Sequence, residues 1–186
     1  FNRDTYEFDL DEFQALITPR TKFASLNYAS NLLGTINPVK EMVARLKAVG
    51  AITYVDAVQY APHGIIDVQD LGSDFLVSSP YKYYGPHQGV LYGRADMLAS
   101  LKAFKLSVVP DIAPNKFETG TQSLEGQAGV IGAIEYFQWL GSTIGAQFLS
   151  TEGVSQRTAE IRAGLSAMVA HEQVLAERLI AGLEAI

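Results

Sequence analysis

Apolar residues along this chain follow two periods. Short, nearly continuous apolar runs occur at 22–29 (KFASLNYA), 51–55 (AITYV), 75–78 (FLVS) and 89–93 (GVLYG). Runs of this length bounded by turn residues predict strands, the first three of them buried in a sheet. Between and after them the apolar residues are spaced for helices. Asp9 caps a short surface helix with Leu10, Phe13, Leu16 and Ile17 on one face, ended by Thr18-Pro19-Arg20-Thr21. Asn37 as cap and Pro38 at the first helical position open a second, with Val39, Met42, Val43 and Leu46 as its stripe up to Gly50. A short helix is expected near 68–71 and another at 94–102. A long one is expected over 125–140, where Gly126, Ala128, Gly129, Gly132 and Ala133 allow close packing. From Val154 onward, Ile161, Leu165, Met168, Val169, Leu175, Leu179 and Leu183 predict an amphipathic helix. Its partner is expected outside the chain, or in a small second domain cut off at Ile186. The stretch 105–116, with Pro110 and Pro114, has no period and reads as loop, 117–122 as a strand or loop edge, and 141–153 as a connection.

Strand, helix, strand over 22–55 is a βαβ unit, which predicts a parallel sheet with a right-handed crossover. Open α/β sheets build their sites outside the carboxyl ends of their strands. Two ionisable residues stand where apolar runs end there: Asp56 after AITYV, with Gln59 three residues on, and Lys82 shortly after FLVSS. Asn31 lies just past the first strand. A lysine amine can form a Schiff base with pyridoxal 5'-phosphate (PLP), and a carboxylate can keep the pyridine nitrogen protonated so that the ring withdraws electrons. Ser79 offers a hydroxyl three residues before Lys82, and Gly85-Pro86 turns the chain away, a setting in which phosphate finds hydroxyls and free backbone N–H groups. Singly, each residue has a plainer reading. An Asp closing a strand is more often a turn former or cap, an Asn before Gly34 is as often a turn former, and a Lys beside Gly-Pro is more often solvated. His63 and His87 sit in Pro/Gly turns, where histidine more often bonds backbone than moves protons. Asp56 and Lys82 together favour a site.

Four stretches, SNLLGT (30–35), YVDAVQYAPH (54–63), DFLVSSPYKYYGP (74–86) and FETGTQ (117–122), carry a resemblance in both order and spacing. They resemble the successive motifs of class V aminotransferase-like PLP enzymes, the cysteine desulfurase and selenocysteine lyase group. The resemblance implies an α/β fold, the large domain of a fold-type I PLP-dependent transferase: a mostly parallel sheet with flanking helices and an antiparallel strand at 89–93. This domain would occupy residues 1–150, and 151–186 would be a helix leading into a small C-terminal domain. The resemblance further implies that Lys82 is catalytic and holds the cofactor, that Asp56 pairs with its pyridine nitrogen, and that Gln59 bonds its phenolic oxygen. Ser79 would bind the phosphate, and Asn31 would face the cofactor or the substrate carboxylate. Thr121 would reach the phosphate of the neighbouring subunit, in a homodimer with its site at the interface. The substrate would be an amino acid. Tyr81 departs from the pattern, because desulfurases commonly have histidine just before the lysine. The chain also has no cysteine, so a sulfur-accepting thiol is not among these residues. The family's cofactor-stacking aromatic and its phosphate loop fall before residue 1, and its substrate-carboxylate arginine falls after Ile186. The chain is therefore expected to be the middle of a longer enzyme, and desulfurase, lyase and aminotransferase activities all stay open.

Composition changes this picture only by exclusion. A chain of 186 residues can bury the core of one domain or slightly more. With 18% charged residues and a net charge of −6, it offers no basic footprint for nucleic acid. No apolar run is long enough to span a membrane and residue 1 does not begin a signal peptide, so the cytoplasm is the expected compartment. Without cysteine there is no disulfide framework. Two functions remain: a PLP-dependent enzyme acting on an amino acid through Lys82, or a non-catalytic protein of this fold serving as a binding or assembly partner. The second has no chemical reason to keep Asp56, Gln59 and Lys82 together.

Overall fold

The computed structural model describes residues 2–186. Its centre is β2 (Ile52–Asp56), whose Thr53 and Val55 are fully buried. On one side β2 pairs in parallel with β1 (Phe23–Asn27), and on the other with β3 (Phe75–Ser78), which pairs antiparallel with β4 (Val90–Gly93). The sheet order is β1-β2-β3-β4. The expected βαβ unit is present, with α2 (Val39–Ala48) between β1 and β2. Its stripe of Val39, Met42, Val43 and Leu46 is buried against Leu26, Val55, Leu71 and Leu76. Gly50, at a φ of 74°, closes the helix in a left-handed conformation that glycine adopts without strain. Around this core stand α1 (Leu10–Leu16), capped by Asp9, α3 (Val68–Leu71) and α4 (Ala95–Ser100).

The amino end of the sheet is pinned by one buried carboxylate. Asp74, just before β3, accepts from the Thr53 N–H at 2.9 Å and the Thr53 hydroxyl at 3.0 Å, and pairs with Arg94 at 2.9 Å. A buried charge is tolerated when it is both paired and hydrogen-bonded in this way.

Beyond β4 the chain crosses 101–123 without a regular element, then forms α5 (Leu124–Thr143) and α6 (Gln156–Glu184). A second core joins this helix pair to the sheet: Tyr83, Phe137 and Leu140, with Ala61, Ile134, Ile161, Leu165 and Met168 packed against them. Among the described residues no helix is long and apolar enough to cross a membrane.

The structure corrects five sequence-based expectations. The first strand is not buried throughout: only Leu26 is, because β1 is an edge strand. Asn37 does not cap α2. Pro38 holds the cap position, and the buried Asn37 amide instead donates to the Asn27 carbonyl at 2.7 Å. Helix α5 runs on to Thr143, and a 3₁₀ turn at Ala146–Phe148 occupies part of the expected connection. The partner of α6 is in the chain: its first half packs on α5, with the small residues Ala159, Ala163 and Gly164 buried at the contact and Ile161, Leu165 and Met168 of the stripe against Phe137 and Leu140. Close approach is set at Gly141 and Gly164. A Cβ on Gly164 would stand 2.1 Å from the Phe137 carbonyl oxygen. Gly132, on the expected close-packing list, is exposed with open space around it.

Candidate active site

The three parallel strands end together. Asn27, the last residue of β1, is in register with Asp56, the last of β2, and Asp56 with Val77 of β3. The Tyr28 N–H bonds the Asp56 carbonyl at 2.8 Å, and the Ala57 N–H bonds that of Val77 at 3.0 Å, carrying the ladder one step past the strands. The loops that leave this edge then enclose a cavity of about 210 Å³ lined by Asn27, Ala29, Asn31, Asp56, Val58, Gln59, Tyr81 and Lys82.

Each lining side chain is aimed by local chemistry. Asp56 Oδ1 accepts from the Val58 N–H at 3.0 Å, a side-chain bond that turns the chain out of the strand and brings Gln59 round. Ser30 Oγ accepts from the N–H groups of Leu32 and Leu33 at 3.2 and 3.1 Å, fixing the turn that carries Asn31. Lys82 rides on a 3₁₀ turn, Pro80–Tyr83, whose Pro80 and Tyr83 are buried and whose Lys82 N–H bonds the Ser79 carbonyl at 2.9 Å. The turn is backed by α5: a Cβ on Gly129 would stand 3.0 Å from the Pro86 ring. Tyr83 lies 6.4 Å from Phe137, and its hydroxyl is 3.1 Å from Ser78 Oγ. Burial pushes the Tyr83 phenol up from its ordinary range.

At the centre, Lys82 Nζ donates to Gln59 Oε1 at 3.2 Å and stands 5.8 Å from the centroid of the Tyr81 ring. The cavity thus holds one amine, one carboxylate and two side-chain carboxamides besides Gln59's, those of Asn27 and Asn31. An amine that can bind an aldehyde covalently, beside a carboxylate that can hold a ring-nitrogen proton, is the donor set a PLP ring requires.

Of the residues singled out from sequence, Asn31, Asp56, Gln59 and Lys82 are brought to this one cavity. Ser79 is half-buried at the start of the lysine turn and does not line the cavity. Thr121 is exposed in the 101–123 stretch and does not line it either. His63 bonds Glu172 of α6 through Nδ1 at 2.8 Å, and His87 stacks on Tyr81 with ring centroids 5.1 Å apart. Sequence reasoning missed Asn27, Ala29 and Val58 and treated Tyr81 only as a departure. Asn27 was findable, since it closes the first strand as Asp56 closes the second.

The chain matches the family model described as Aminotransferase class-V over residues 2–174. It belongs to that family. It is 37% identical over 146 residues to a cysteine desulfurase of Pectobacterium carotovorum subsp. carotovorum (strain PC1), covering 72% of this chain and 36% of the relative. It is also 37% identical over 150 residues to a cysteine desulfurase of Yersinia pseudotuberculosis serotype O:1b (strain IP 31758), covering 74% and 37%. The chain therefore spans little more than a third of the length of the curated relatives it matches. Among solved structures it is similar to the apo cysteine desulfurase of Thermococcus onnurineus NA1, with a TM-score of 0.78 and 27% identity over 100% of this chain and 44% of that one. It is similar as well to the Escherichia coli cysteine desulfurase CsdA, with a TM-score of 0.62 and 30% identity over 75% and 40%. The α/β fold, a mixed sheet with flanking helices, is that of fold-type I PLP-dependent enzymes.

Proposed function

We propose that this chain carries the cofactor-binding part of a PLP-dependent enzyme that acts on an amino acid, cysteine desulfurase-like, with Lys82 as the covalent attachment point. One observation carries the reading: Asn31, Asp56, Gln59 and Lys82, from three separate loops, line a single cavity at the carboxyl ends of β1, β2 and β3. The relatives named cysteine desulfurase support the same class. When bound, the cofactor supplies an electron-withdrawing ring next to the substrate α-carbon.

The chain's own residues do the rest. Lys82 Nζ holds the cofactor covalently and moves the proton at the substrate α-carbon. Asp56 keeps the pyridine nitrogen protonated. Gln59 accepts from Lys82 through Oε1, which leaves its amide N–H groups to donate to the phenolic oxygen. Ser79 binds the phosphate from the start of the lysine turn, and Asn31 faces the cofactor or the substrate carboxylate. Thr121 reaches the phosphate of a second subunit in a homodimer, a role supported by the exposed apolar residues that precede it in the chain, Phe104, Val108 and Ile112. Residues 1–150 form the large domain, and 151–186 lead into a smaller one.

The test is an absorbance spectrum of the full-length protein with added PLP before and after borohydride reduction, followed by mass spectrometry of the Lys82 peptide. A reduced adduct on Lys82, lost in Lys82→Ala, supports the reading. No imine band, or a band unchanged in Lys82→Ala, refutes it and leaves a binding or assembly role.

A further inference from the structure

The lysine turn leaves one aromatic side chain in the cavity that the chemistry above does not use. Tyr81 lines the cavity beside Lys82 and is 47% exposed, yet its ring is not loose. It stacks on His87 with an interplanar angle of 18°. Lys82 Nζ stands 5.8 Å from its centroid, inside the range at which an ammonium is drawn to the face of a ring. On its other side the amine meets Gln59 Oε1. The amine is thus held between one amide oxygen and one aromatic face.

The backbone under Lys82 leaves little freedom to re-aim it. Pro80 is fully buried, Tyr84 closes the turn at a φ of 67°, and a Cβ on Gly85 would stand 2.8 Å from Pro80 Cβ. A lysine stem has four rotatable carbons beyond a fixed Cα, so the position of Nζ is decided by what surrounds its tip. We propose that Tyr81 is a positioning residue for Lys82. Its ring, held by His87, is the wall that keeps the amine in the cavity opposite Gln59. The proposal rests on the reading of Lys82 as the attachment point.

Two measurements on the full-length protein separate the proposal from that reading. The first follows the rate of the borohydride-trapped PLP adduct on Lys82. Tyr81→Leu slows it about two- to fivefold, because an amine no longer held opposite Gln59 is out of place for the aldehyde. Tyr81→Phe, which keeps the ring, recovers most of the loss, and His87→Ala, which frees the ring, falls between. The second uses no cofactor. Acetylation by an N-hydroxysuccinimide ester is read peptide by peptide, with Lys82 labelling taken relative to Lys40 and Lys47. In Tyr81→Leu the Lys82 fraction rises about twofold as the amine leaves its wall. A changed acetylation pattern with no PLP adduct even in the unsubstituted protein sinks the cofactor reading and keeps the positioning role. An unchanged adduct rate and acetylation pattern in Tyr81→Leu, or a Tyr81→Phe as impaired as Tyr81→Leu, overturns the positioning role. If Tyr81→Leu does not fold, His87→Ala and Tyr81→Phe decide by the same two readouts.

Discussion

Asp56 and Asp74 each stand at an end of an apolar run, and the structure gives them opposite jobs. Asp74 is spent on the fold, its oxygens taken by Thr53 and Arg94 at the amino end of the sheet. Asp56 makes one short-range bond to the Val58 N–H and is otherwise open to the cavity at the carboxyl end. The sequence told them apart only through direction: one precedes an apolar run and the other follows one. Next to Asn27, Tyr28 stacks face to face on Tyr60 at 3.9 Å. Burial, and then the neighbouring Tyr60, push its phenol up to about 12. The folded chain therefore keeps a proton that the unfolded chain gives up near 10. This contribution to stability is fully present below pH 10 and is lost as pH rises from 10 towards 12. Tyr28→Phe keeps the ring and removes the proton. Its urea midpoint is expected to fall less than that of the unsubstituted protein across that window, and tyrosinate absorbance should show one fewer late-titrating phenol. Equal slopes for the two proteins would show that Tyr28 does not set the alkaline limit.

Among the elements, the helices show where pattern reading stops. The α2 stripe was legible because large apolar side chains at helical spacing have one place to go, the sheet. The close approach of α5 to α6 was not, because it is set by Gly141 and Gly164, which have no side chain to pattern, with Ile161, Leu165 and Met168 packing beside them. A Cβ on Gly141 would stand 1.8 Å from the Glu160 carbonyl oxygen, whereas one on Gly132 would meet nothing within 4 Å. Alanine gains about 0.8–1 kcal/mol over glycine inside a helix, at either position. At Gly132 nothing opposes that gain, so Gly132→Ala is expected to stabilise by about 0.5–1 kcal/mol. At Gly141 the contact is backbone against backbone and cannot be relieved by a rotamer. The helices must move apart, at a cost of about 1–3 kcal/mol or more, which exceeds the gain. Chemical denaturation of the two variants should thus give shifts of opposite sign. Two shifts of the same sign would mean that the helix pair is looser than its geometry.

For the whole molecule, the question is what holds the α5–α6 layer to the sheet that carries the cavity. Two polar contacts cross from α6 to the loop after β2, the Arg162–Asp67 ion pair at 2.8 Å and the His63–Glu172 hydrogen bond at 2.8 Å. All four side chains are at least a third exposed, and exposed pairs contribute about 0–1 kcal/mol each. The second core is the stronger candidate. Phe137 is 2% exposed and lies against Tyr83, the residue after Lys82. The sheet and the four clustered site residues were readable from runs and strand ends. This link was not, because it joins residues distant in sequence through ring contacts of Tyr83 and Tyr84 with Tyr136 and Phe137 that no local period announces. Phe137→Ala is expected to cost about 3–5 kcal/mol, against less than about 1 kcal/mol for Glu172→Gln. It should also weaken Lys82 more than overall stability alone explains. At a temperature where the variant is still folded, the trapped PLP adduct should be reduced, because the turn under Lys82 has lost the ring that backs Tyr83. Glu172→Gln should leave the adduct unchanged. A Phe137→Ala protein that stays within about 1 kcal/mol of the original would mean that the polar contacts, not the aromatic core, hold the two layers together.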